Sequence, residues 1–147
     1  TACIVKRFIE QFDGTARSFL QAAFLPIARL ALFIVFFWFG FLKIIQESPA
    51  NPLVEHLLSE TLPFISFQNF ILFLGLWEML IGVSFLVEGW ERLAIVLLAP
   101  HMVATFLPLA VLPSVTWLGF LIPTLEGQYI IKNTVIIALA IGVAAQR

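Results

Sequence analysis

The stretch Phe70–Val87, FILFLGLWEMLIGVSFLV, limits what this chain can become. It contains no Pro and a single charge, Glu78, near its middle. An apolar run of about 18 residues or more reads as a membrane-crossing helix. A carboxylate at mid-depth in hydrocarbon costs at least ~2.5–3.5 kcal/mol on insertion scales, so Glu78 is expected to face other helices or to be neutralised. Its neighbours favour the inward choice. Gly75, Glu78 and Gly82 are three and four residues apart and share one helical face. A small–polar–small face lets a second helix approach closely around the acid.

The rest of the composition agrees. Of 147 residues, 61% are hydrophobic and 12% charged, and the mean hydropathy is +1.04. Such a chain is expected to be one integral membrane domain. A net charge of −1, with no basic stripe, gives no reason to expect a nucleic-acid partner. Cys3 is the only cysteine, so neither an internal disulfide nor a cysteine metal motif is expected. Because the chain opens at Thr1, further residues are expected before it. No cleavable signal peptide is expected in the mixed polar segment that leads to the first span.

Residues 1–23 mix Lys6, Arg7, Glu10, Asp13 and Arg17 with Ile4, Phe8, Phe12 and Phe19. They read as an interfacial helix or a frayed tail, with a break at Asp13-Gly14. Spans are expected at about residues 26–45, 70–87, 93–112 and 129–145. In the first, Arg29, Phe33, Phe36, Gly40 and Lys43 form one stripe. Arg29 reads as an interfacial anchor. Lys43 reads equally as an anchor or as an inward-facing group. The long connection after it contains Asn51-Pro52, a helix cap followed by a proline, so a short amphipathic helix over 52–62 is expected. Leu53 and Leu57, with Val54 and Leu58 less squarely, would lie against the membrane or the bundle, and Glu55, His56 and Glu60 would face solvent. His56 and Glu60 have metal-pair spacing, but one such pair is far more often a surface contact, and no metal is expected.

The turn Glu88–Arg92 is short enough to make the second and third spans antiparallel neighbours. Pro100 and Pro108 are expected to kink the third span. His101 and Glu78 each lie about eight residues from an end of their spans, so both fall near mid-depth, and a Glu78–His101 contact is geometrically allowed. Thr105 follows His101 on the same face. Residues 113–128 read as an outer loop in which Trp117 suits the interfacial belt. Lys132 and Asn133 would then open the fourth span, where Ala138 and Gly142 suggest a close-packing face. Lys6, Arg7, Arg17, Arg29, Arg92 and Arg147 on one side, against Lys43 and Lys132 on the other, place both termini in the cytoplasm. Lys43, Glu47, Glu126, Lys132 and Asn133 would gather at the outer mouth, with Glu126 and Lys132 as a helix-end ion pair or part of a binding site.

With these motifs in view, the chain resembles the small four-helix inner-membrane proteins of the YkgB/RclC type, within the DoxX-like group. Arg29-Leu30 and Phe37-Trp38-Phe39-Gly40-Phe41-Leu42-Lys43 resemble the family's R-L…W-x-G-x-L-K-F pattern. Glu47 and Pro52-Leu53-Val54 are similar to its E-A…P-x-V stretch, and Gly75, Glu78 and Ile81-Gly82 to its G-x-x-E-x-x-I-G. Gly127 with Tyr129-Ile130-Ile131-Lys132-Asn133 resembles its G-R-x-x-x-K-D, except that Gln128 stands where the family has Arg and Asn133 where it has Asp. The resemblance implies an all-α, polytopic four-helix bundle in a prokaryotic inner membrane, associated with redox systems.

Three functions follow as expectations. The first is an accessory subunit of a quinone-linked respiratory or redox complex that docks partner helices, with membrane lipids and other membrane subunits as its company. The second is a quinone-binding oxidoreductase subunit in which Glu78 or His101 exchanges protons with a headgroup. The third is a small proton or solute transporter. No intrinsic cofactor is expected; a quinone or lipid at the bundle surface is the occupant these readings leave room for. Beside them stands a purely structural role for Glu78–His101, a polar contact holding two helices together.

Overall fold

The computed structural model describes the backbone of residues 2–146 and the side chains of residues 10–146. Thr1, the side chains of Cys3, Ile4, Lys6, Arg7 and Phe8, and Arg147 lie outside the described residues. The chain is mostly helical: α1 (Ala2–Ile44), α2 (Asn51–Thr61), α3 (Phe67–Leu86), α4 (Glu91–Phe106), the single turns α5 (Pro108–Val111) and α6 (Pro113–Thr116), a small hairpin β1 (Trp117–Gly119) and β2 (Ile122–Pro123), and α7 (Leu125–Ala145). Four helical stretches are long and apolar enough to cross a membrane: Glu10–Ile44, Phe67–Leu86, Glu91–Val111 and Leu125–Ala145.

The expected break at Asp13-Gly14 is absent, and α1 runs unbroken for 43 residues. One glycine inside a helix costs only about 1 kcal/mol. Here Asp13 and Arg17 form an i,i+4 ion pair at 3.7 Å across the site, which offsets part of that. The helix is about 64 Å long at ~1.5 Å per residue, twice the ~30 Å of a hydrocarbon core. It closes in a Schellman motif. Glu47 N–H donates to Leu42 O, Gln46 N–H donates to Lys43 O, and Gln46 takes the left-handed conformation at φ 63°.

Expected boundaries shift where caps were overlooked. Ser66 accepts from the Asn69 N–H, so α3 begins three residues before Phe70. Thr124 caps α7, so that helix starts at Leu125 and not Tyr129, and Lys132 and Asn133 lie beyond its first turn. Thr124 Oγ1 accepts from Gly127 N–H at 3.1 Å and donates to Val115 O at 2.7 Å. Thr124→Ala is therefore expected to lower stability by about 1–2 kcal/mol, and Thr124→Ser by much less, read from thermal unfolding in detergent. Helix α4 continues past Pro100, and the interruption falls at Leu107, just before Pro108. The outer loop is ordered by α6 and the hairpin, a short β element outside the all-α expectation. Trp117 donates its indole N–H to Leu109 O at 2.9 Å.

The short helix α2 lies close to its expected place, but the expected Asn51 cap does not form: Ala50 stands at the N-cap without a side-chain bond, and Asn51 is already helical and donates its amide to Gln46 O at 3.1 Å. Leu58 is buried, Leu53, Val54 and Leu57 are half-buried, and Glu55, His56 and Glu60 are exposed.

Packing centres on α1 and α3, the most extensive helix pair, with α4 against α3, and α7 against α4 and α1. The core holds Ala28, Leu32, Phe36, Ile81, Phe85, Ala94, Leu98, Met102, Ala140 and Val143. Two glycines set the α1–α3 distance. A Cβ on Gly40 would lie 2.6 Å from Gly75 O, and one on Gly75 would lie 2.7 Å from Gly40 O, so the two backbones touch. On α7 the buried small residues are Gly127 and Ala140, whereas Ala138 is exposed. Gly142 meets the Phe24 ring. The expected Ala138–Gly142 face is thus turned by about half a turn, because α7 presents Ile130, Ala140 and Val143 to the core.

Candidate functional site

The face of α3 that carries Gly75, Glu78 and Gly82 does point inward, and the acid finds two partners there. Lys43 Nζ from α1 donates to Glu78 Oε2 at 2.7 Å, and His101 Nε2 from α4 lies 2.9 Å from Glu78 Oε1. The side chains of all three are more than nine-tenths buried. The local reasons are simple. Gly40, one turn before Lys43, brings α1 onto α3, so the lysine lies directly over Glu78. Trp77 donates its indole N–H to Leu97 O at 3.0 Å, which holds α4 beside α3 one turn before His101. Phe36 stands edge-on to the imidazole, with ring centroids 5.7 Å apart, and closes the apolar wall.

The hydrogen-bond chemistry follows from donor and acceptor counts. An ionised carboxylate only accepts, so Lys43 and the His101 Nε2–H both donate to Glu78. The other ring nitrogen, Nδ1, faces Thr105 Oγ1 at 3.4 Å, and the same hydroxyl lies 2.9 Å from His101 O. With a neutral ring the hydroxyl can donate to Nδ1. With a charged ring Nδ1 donates to Thr105 Oγ1, and the hydroxyl proton turns to His101 O. Thr105 thus offers Nδ1 a hydrogen-bond partner in either ring state by turning its hydroxyl alone. With a neutral ring it carries no net charge, which is what lets three ionisable groups sit among apolar side chains.

A second buried cluster was not expected. Arg29, read as an interfacial anchor, is turned inward. Its guanidinium pairs with Glu91 Oε1 and donates to Phe85 O at 3.0 Å and Val87 O at 3.4 Å. Glu91 Oε1 also accepts from Gly89 N–H at 3.1 Å. A cation against the carbonyls that end α3 is favourably placed in the helix dipole. The missed signal was Glu91, counted as part of the short turn although it opens α4 as its first acidic residue.

The expected outer cluster does not assemble. Lys43 reaches inward to Glu78 and, among the described residues, makes no ion pair with Glu47 or Glu126; those two and Lys132 are exposed. Glu126 and Lys132 form no ion pair among the described residues. Lys132 Nζ instead stands over the Tyr129 ring, 5.5 Å from its centroid. Asn133 donates its amide to Tyr129 O and Ile130 O within its own helix. His56 accepts from the Ser59 hydroxyl through its backbone carbonyl, and no group of three or more potential metal ligands occurs among the described residues.

Comparison of the chain with protein-family models, with curated proteins and with solved structures found no match.

Proposed function

We propose that this chain is a multi-pass four-helix bundle of a prokaryotic inner membrane, DoxX-like in kind, with both termini in the cytoplasm. Its role is that of an accessory subunit, a rigid scaffold that docks the helices of a quinone-linked redox complex. One observation carries this reading. The intramembrane ionisable groups pair with one another across α1, α3 and α4, whereas the outward helix faces expose Trp38, Phe39, Phe41, Phe73 and Leu76. A helix set locked from inside and apolar outside is suited to holding neighbours in lipid. Purification of the full chain from native membranes in mild detergent is expected to bring an integral redox subunit with it in constant ratio. Recovery as a lone protein, with no co-migrating membrane subunit, would overturn the proposal.

A second reading is favoured by the Glu78–His101 hydrogen bond alone. Near mid-depth it is a proton-exchanging pair of the kind a quinone headgroup requires, with electrons supplied by a partner. Glu78→Gln separates the two. Under the scaffold reading the quinone-dependent turnover of the complex survives the substitution, and under the second it is lost.

A further inference from the structure

The buried ionic clusters are unevenly distributed. Arg29–Glu91 and Lys43–Glu78–His101 both tie α1 to the α3–α4 pair, and none of the ion pairs found in them among the described residues involves α7. α7 contributes small and aliphatic groups to the core, Ile130, Ala140 and Val143. Among the described residues the seams that α7 makes with α1 and α4 are therefore held by apolar packing, and along the α4 seam the surface opens into a groove of about 540 Å³. Glu91, Arg92, Ile95, Val96 and Ala144 line it.

The chemistry of this groove is that of an amphiphile with an anionic head. Ile95, Val96 and Ala144 form apolar walls along the membrane-crossing part of the helices. Arg92 stands at the end of α4, exposed, with no acidic partner among the described residues. The neighbouring carboxylate does not cancel it, because Glu91 pairs with the buried Arg29 guanidinium. The groove thus presents an exposed cation that is in no ion pair among the described residues, at the level where a span ends, above a hydrocarbon-lined trough.

We propose that the α4–α7 groove is a binding site for one anionic phospholipid of the surrounding leaflet, its phosphate on the Arg92 guanidinium and an acyl chain along Ile95, Val96 and Ala144. The site rests on the proposed membrane insertion of the chain but not on its role as a subunit. Charge complementarity makes the headgroup the discriminating part. A basic residue at a membrane surface favours an anionic lipid by about 1 kcal/mol, which is about fivefold in occupancy.

The test uses the full chain in nanodiscs with equal phosphatidylglycerol and phosphatidylcholine, and native mass spectrometry of the lipids retained on release. Phosphatidylglycerol is expected on the wild-type chain in about fivefold excess. Arg92→Gln should bring the ratio to near parity, and Arg92→Lys should restore most of it. Val96→Trp, at an exposed wall position where folding tolerates change, should lower retention of both lipids by filling the trough. Equal retention of the two lipids by the wild-type chain would overturn the proposal, as would a phosphatidylglycerol excess that persists in Arg92→Gln. Displacement of the lipid by an uncharged quinone at equal strength in wild type and Arg92→Gln would also overturn it. Resistance of the chain to alkaline carbonate extraction reports insertion separately. A lone chain in the subunit test leaves the lipid result intact.

Discussion

Replacing Glu78 with alanine is expected to lower folding free energy by about 3 kcal/mol, the low end of the range for breaking a buried ion pair. The carboxylate accepts from Lys43 at 2.7 Å and from His101 at 2.9 Å, so its removal leaves an ammonium without a counter-charge and an imidazole N–H without an acceptor in an apolar interior. The low end applies because Lys43 lies in the last turn of α1, where its flexible stem can carry the charge toward the interface. The triple change Lys43→Met, Glu78→Leu and His101→Leu is expected to recover most of the loss. Buried ion pairs replaced by apolar groups of similar volume are often neutral or stabilising. Chemical denaturation in mixed micelles would measure both. A loss under about 1 kcal/mol in Glu78→Ala, or a triple variant weaker than the single one, would contradict a buried pair.

Gly40→Ala is the second large effect, with an expected loss of about 2–3 kcal/mol. The new methyl would lie 2.6 Å from Gly75 O and 2.9 Å from Met79 N, both backbone atoms that cannot swing aside. The helices would have to separate, and Lys43, one turn further on, would move off Glu78. Gly40→Leu should prevent the α1–α3 contact altogether. Because the two sites share that contact, Gly40→Ala combined with Glu78→Ala should cost less than the sum of the singles, and a double-mutant cycle on the same denaturation assay reports the difference. Strict additivity would separate the glycine contact from the ionic cluster.

Much of this cluster can be read in the letters, because helical spacing is a local rule. Gly75, Glu78 and Gly82 share a face by counting, and the short Glu88–Arg92 turn sets Glu78 and His101 at comparable depth. The partner of Arg29 cannot be found that way. Its distance from Glu91 in sequence is 62 residues, and the pairing depends on where α3 ends in space. Lys43 was ambiguous for a related reason: a long side chain near a helix end reaches equally toward water or toward an acid, and only the Gly40–Gly75 contact decides. Ser66 and Thr124 were legible as caps by residue type. The apolar run starts later in sequence than either cap, so hydropathy alone places both helix starts too late. The unbroken α1 shows the opposite error, in which a glycine was given more weight than one residue carries against a long helix.

Arg29 and Lys43 are 14 residues apart on α1, close to four helical turns and about 21 Å of rise, so both present to the same side of that helix. They work as two pins through one shaft. A single residue inserted or removed between them would turn one pin by about 100° relative to the other, so both could not seat at once. The number of residues between the pins is therefore constrained as firmly as the identity of Gly40, which lies among them.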